Sequence, residues 1–105
     1  MRPYFLKILT PEKKIYDGEV VSLTVTCENG QLTVLAGHAP MLAALVEGPI
    51  TIQTKRETIR GTGGGGVLRV DYGEVAVLVR FLKWDGDETA EETAAKSAVE
   101  SDMTL

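Results

Sequence analysis

The chain's one cysteine, Cys27, and its one histidine, His38, stand eleven residues apart, and a glycine-rich stretch, GTGGGG, covers residues 61–66. Each suggests a chemistry. A thiol beside an imidazole could act as a nucleophile with its base. The spacing of Gly61, Gly63 and Gly66 satisfies G-x-G-x-x-G, a pattern that can cradle a phosphate. A lone cysteine excludes an intramolecular disulfide. One Cys and one His, without CxxC or HxxxH spacing, make a poor metal site.

The elements that would have to position these groups argue against both chemistries. In VVSLTVTC the apolar residues Val21, Leu23, Val25 and Cys27 alternate with hydroxyl residues, the period of a half-buried strand. Cys27 is then in phase with a core face. Asn29-Gly30 suits a two-residue type I′ hairpin turn. That turn sets Cys27 opposite Leu32 and leaves His38 about 20 Å away along an extended chain. The glycines run into VLRV, a β-rich segment, and a phosphate cradle needs a helix N-terminus behind it. A bulge or close strand crossing is the expected role of these glycines. A small ligand- or nucleotide-binding β module using Gly61–Gly66 is the alternative function to test. Glu28, Glu47, Asp71 and Glu74 fall at turn positions, where charge is solvated. Lys55 lies near a turn, but its flanks, QTKRET, do not form a carrier-domain attachment site.

The rest of the chain to residue 84 reads as strand after strand. Tyr4, Leu6 and Ile8 share one face of a first strand, and Asp17-Gly18 marks a bend. PITIQTKRETIR gives two short strands around Lys55–Glu57, and VLRVDYGEVAVLV gives a pair around Asp71–Glu74. Turns this frequent predict an antiparallel sandwich or barrel. Residues 85–105 differ: DETAEETAAKSAVE is rich in Ala and Glu, a short helix or disordered tail. The expected domains are therefore a β body over 1–84 and an acidic tail over 85–105. Ten Lys/Arg face eight Asp/Glu in the body, against one Lys and seven acids in the tail. Neither balance suits a nucleic-acid partner. No apolar run approaches the roughly 20 residues of a membrane span, and the first residues lack a signal-peptide pattern.

One stretch remains, AGHAPMLAAL. Pro40 restricts Ala39 to extended geometry and removes a backbone donor. Met41, Leu42 and Leu45 then read either as an exposed apolar loop for a partner or as cover for one end of the sandwich.

Together with their neighbours these residues resemble a known family. LTPEKKIYDGEVVSLTV, then ENGQLTVLAGHAPMLAAL and a glycine before ITI, is similar to the epsilon subunit of F-type ATP synthases over about residues 4–80. The particular matches are Thr10-Pro11-Glu12, Tyr16-Asp17-Gly18-Glu19, Gly37-His38-Ala39-Pro40, Leu42 and Gly48. The resemblance implies an antiparallel β-sandwich of about ten strands. It implies a non-catalytic subunit of the central stalk without cofactor, coupling ion-driven rotation to ATP synthesis. Its partners would be the gamma subunit and the membrane rotor ring of c subunits. It would lie on the cytoplasmic face of a bacterial cell membrane or the equivalent energy-coupling membrane, bound there only through those partners. Glu28, Asn29, Gly30 and Gln31 would face the ring. Thr10, His38, Ala39, Pro40, Met41, Leu42 and Ala43 would face gamma. Three positions depart from the family: Gln31 where an acid is common, Ala36 where proline is usual, and Val67 in place of an aromatic. The stretch after Trp84 is too short for the family's two-helix C-terminal domain, so no inhibitory arm and no nucleotide site are expected.

Overall fold

The computed structural model describes residues 2–85, all of them in strands and the turns between them. The acidic tail expected as helix or disorder lies outside the described residues. Ten strands follow in order: β1 (Tyr4–Leu9), β2 (Lys14–Val20), β3 (Ser22–Cys27), β4 (Gly30–Val34), β5 (Met41–Leu45), β6 (Gly48–Gln53), β7 (Thr58–Gly63), β8 (Gly66–Asp71), β9 (Glu74–Val79) and β10 (Leu82–Trp84). They form two five-stranded layers, β10-β7-β6-β3-β4 and β5-β8-β9-β1-β2. The layers join at one corner, where Cys27 of β3 meets Leu45 of β5. The all-β sandwich is the expected architecture. One pairing departs from antiparallel: β1 runs parallel to β9.

Alternation builds the core. Leu6, Ile8, Leu23, Val25, Val34, Ile52, Leu68 and Val77 are each fully buried, every one at an inward position of its strand. Burial on this scale contributes about 1.5–3 kcal/mol for each large aliphatic side chain. Cys27 packs against this cluster as a small apolar group. Tyr4 crosses between the layers, its hydroxyl donating to the Val34 carbonyl at 2.7 Å. Burial pushes the Tyr4 phenol well above its ordinary range.

Three local expectations need correction. The β3–β4 turn is Glu28-Asn29 rather than Asn29-Gly30, because Cys27 pairs with Gly30 and Val25 with Leu32. Gly30 still uses its conformational freedom, at φ +126°, but as the first residue of β4. This register sets Leu23 opposite Val34, both fully buried. Asp17-Gly18 is no bend: β2 runs through it, Gly18 opposite Leu6, with the Tyr16 ring beside the glycine in this edge strand. The bend falls at Thr10–Lys13, closed by Thr10 N–H to the Lys13 carbonyl at 2.9 Å. Finally, Met41–Leu45 is a strand paired with β8, not a loop. Pro40 ends before it, so no ladder donor is missing.

The glycine run serves close packing. Gly61, Gly63 and Gly64 are buried, and the chain passes from Gly65 directly into β8. A Cβ on Gly63 would collide with Ile50, and one on Gly66 with the Leu78 carbonyl. The segment leads into a strand and carries no helix N-terminus, so the phosphate-cradle reading fails on geometry.

Candidate partner interface

One surface breaks the rule that outward strand positions are polar. Pairing aligns Ala44, Val67, Leu78 and Leu9 in a row across β5, β8, β9 and β1. All four are apolar. The next row holds Leu42, Arg69, Ala76 and Lys7. Leu42 is 71% exposed, Leu78 52% and Val67 44%. Contiguous exposed apolar side chains on a rigid sheet mark a surface that another molecule covers. The charges around them are largely neutralised in place, by Lys7–Glu74 at 3.3 Å and Arg69–Asp71 at 3.4 Å. At the far edge Lys14 bonds Asp17 at 2.9 Å, and that hydrogen bond holds the Asp17 carboxyl below the usual carboxylate range.

Two clefts close the ends of this face. The larger, about 490 Å³, includes Arg2, Phe5, His38, Pro40 and Tyr72. The smaller, about 240 Å³, lies among Leu9, Thr10, Pro11, Val67, Leu78 and Arg80. Thr10 and His38 thus border the same face from opposite ends. The Thr10 hydroxyl is already engaged, accepting from Lys13 N–H at 3.3 Å within its turn.

The His38 end is built by a turn. His38 N–H donates to the Leu35 carbonyl at 3.1 Å, and Gly37 between them sits at φ +84°. A positive φ at the third residue is the requirement of a type II turn, which favours proline at the second. Ala36 occupies that second position. The imidazole Nδ1–H donates to the Ala39 carbonyl at 2.8 Å, which leaves Nε2 for a partner or water. His38 and Cys27 do not meet: Cys27 pairs beside Leu45, whereas His38 precedes Met41 at the other end of β5. About 13 Å of strand separates those ends.

The structure therefore sorts the residues singled out from the sequence into three groups. His38, Ala39, Pro40 and Leu42 share the exposed face or its end, with Thr10 at the opposite end. Met41 and Ala43 alternate inward and pack against the core. Glu28, Asn29, Gly30 and Gln31 form a separate, exposed hairpin tip. That tip lies near the Leu45 end of β5, where Val46 N–H bonds the Thr26 carbonyl at 3.1 Å. Val67 and Leu78 are the face residues that sequence reasoning missed. The signal was present: VAVLV at 75–79 is a continuous apolar run, which belongs to strands covered on both sides.

The comparison with known families decides what this architecture is. A model of the ATP synthase Delta/Epsilon chain beta-sandwich domain matches residues 4–85. The chain belongs to the ATP synthase delta/epsilon family. It is 32% identical over 100 residues to the ATP synthase epsilon chain of Prochloron didemni, covering 95% of this chain and 73% of that one. The epsilon chain of Synechococcus sp. (strain PCC 6716) is 31% identical, with 95% and 72% covered. The fold is shared with a chain in the cryo-EM structure of the Euglena gracilis mitochondrial ATP synthase, OSCP/F1/c-ring in rotational state 1. That chain superposes with a TM-score of 0.74 at 20% identity, over 78% of this chain and 53% of its own length. A chain of the Tetrahymena thermophila mitochondrial ATP synthase central stalk/c-ring gives 0.67 at 18% identity, over 83% and 73%. An epsilon-type chain is a non-catalytic component of the synthase.

Proposed function

We propose that this protein is the epsilon-type subunit of the central stalk, coupling ion-driven rotation to ATP synthesis by mechanical contact. The observation that carries the reading is the outward apolar face of β5, β8, β9 and β1 on a member of this family. Gamma covers that face, with Leu42 in its middle, His38, Ala39 and Pro40 at one end and Thr10 at the other. Met41 and Ala43 act beneath it, fixing β5 on the core. The exposed tip Glu28–Gln31 meets the polar loops of the rotor ring. Glu28 supplies the charge that Gln31 lacks for a basic ring loop. The protein is peripheral to the membrane, on its cytoplasmic face in a bacterial cell, and is held there by these partners.

A docked surface of about 800 Å² per partner suffices for a stable complex. The two-layer sandwich transmits torque because a close-packed core deforms little. Mixing the purified protein with gamma and the c-ring and weighing the products by native mass spectrometry tests the proposal. A ternary complex is expected; free subunits alone would refute it.

A further inference from the structure

Among the described residues, the apolar face ends at each side on an arginine without an ion-pair partner. Its internal charges are matched, Lys7 with Glu74 and Arg69 with Asp71. Arg80 borders the cleft beside Thr10, with its backbone N–H fixed on the Gly65 carbonyl at 3.2 Å. Arg2 borders the cleft beside His38, where its Nη2 lies 3.0 Å from the position a Cβ on Gly37 would take. Among the described residues neither guanidinium has a carboxylate within ion-pair distance. The two acids in the Arg2 cleft, Asp71 and Glu74, are those already paired. Of the outward acids on these strands, Glu19 also makes no ion pair among the described residues, and it sits on the edge strand β2 opposite Phe5.

We infer that the surface covering this face is an apolar strip carrying a carboxylate at each end, one for Arg80 and one for Arg2. The inference rests on the docking reading above and adds the chemistry of the partner. Among the described residues these two arginines line the clefts at the ends of the face without an ion-pair partner, so carboxylates complement them where any added cation would be repelled. Guanidinium is suited to the task because its planar fork takes a carboxylate in two parallel hydrogen bonds. The apolar row supplies affinity. The paired ends fix orientation and speed encounter.

Titration calorimetry of the whole protein against purified gamma, at about 0.05 M and about 0.5 M salt, tests this. Arg2→Glu and Arg80→Glu should each weaken binding about tenfold at low salt, with the loss shrinking at high salt. Arg80→Met, which keeps length without charge, should weaken it less than Arg80→Glu. Arg60→Glu, on β7 of the other layer, should bind as wild type. If Leu78→Asp abolishes binding while both reversals bind normally, the apolar docking stands and the two-carboxylate inference fails. Tighter binding by either reversal would overturn it as well. A wild-type protein that does not bind gamma would overturn both readings.

Discussion

The two layers of this sandwich share one core and differ on their outer faces. On β3, β4, β6 and β7 the outward positions hold Ser22, Thr24, Thr33, Thr51, Thr58 and Thr62. Thr24 and Thr33 join hydroxyls across the strands at 2.9 Å, and Ser22 reaches Gln53 at 3.4 Å. Threonine keeps the β-branched fit to a pleated strand while offering water a polar tip. On β5, β8 and β9 equivalent positions hold Leu42, Ala44, Val67 and Leu78. Folding needs only the inward residues, and both layers have them. The difference is one of use in the proposed reading: gamma takes the apolar layer, while the other layer keeps a polar outer face.

Substitutions can break that contrast, beginning with its scaffold. Gly66→Ala places a methyl group on the Leu78 carbonyl, prising β8 from β9. A loss above about 3 kcal/mol is expected from an overpacked site that cannot relax, and denaturant unfolding would measure it. The next effect separates the faces. Leu42→Asp should cost gamma binding more than about 2 kcal/mol, as for a central interface residue. The same substitution should leave the melting curve nearly unchanged, because Leu42 is already exposed. Thr58→Asp on the other layer should alter neither binding nor melting.

Tyr4→Phe tests the stitch between the layers. It removes the buried side-chain hydrogen bond to the Val34 carbonyl and should cost about 0.5–1.5 kcal/mol. The pH dependence has a definite sign. Unfolded tyrosine ionises near pH 10, whereas buried Tyr4 keeps its proton to higher pH. The native state thus binds more protons above pH 10, and stability falls as pH rises beyond it. In Tyr4→Phe that part of the alkaline decline should vanish, visible as a flatter plot of unfolding free energy against pH. The smallest effect sharpens the contrast. Ala36→Pro should stabilise the protein by about 0.4–1 kcal/mol by stiffening the unfolded chain at a position whose turn geometry accepts proline. Thermal unfolding would detect it.

Much of this was legible in the chain itself. Period-two runs such as SLTVTC located the inner face, and DYG located the β8–β9 turn. Local turn signals were less dependable where pairing overruled them. Asp17-Gly18 has turn composition, yet β1 on one side and the Tyr16 ring above hold it in a strand. At Asn29-Gly30 the glycine is used one position later than expected, because the pairing follows Leu23 and Val34. The interface was half visible. Leu42 stood out beside Pro40, but Met41 and Ala43 came with it until the strand showed which residues alternate inward. Val67 and Leu78 escaped because an apolar residue in a strand reads as core. Only pairing reveals that they share a row with Ala44 and Leu9, on the side away from the other layer.

Hydroxyl-radical footprinting of the protein alone and bound to gamma tests the central claim directly, since it reports side-chain exposure face by face. Oxidation should drop at Leu42, Val67 and Leu78 on binding and stay constant at Pro49 and Arg60, exposed on the other layer. Protection of Pro49 and Arg60 with Leu42, Val67 and Leu78 still oxidised would contradict the assignment of the apolar face to gamma.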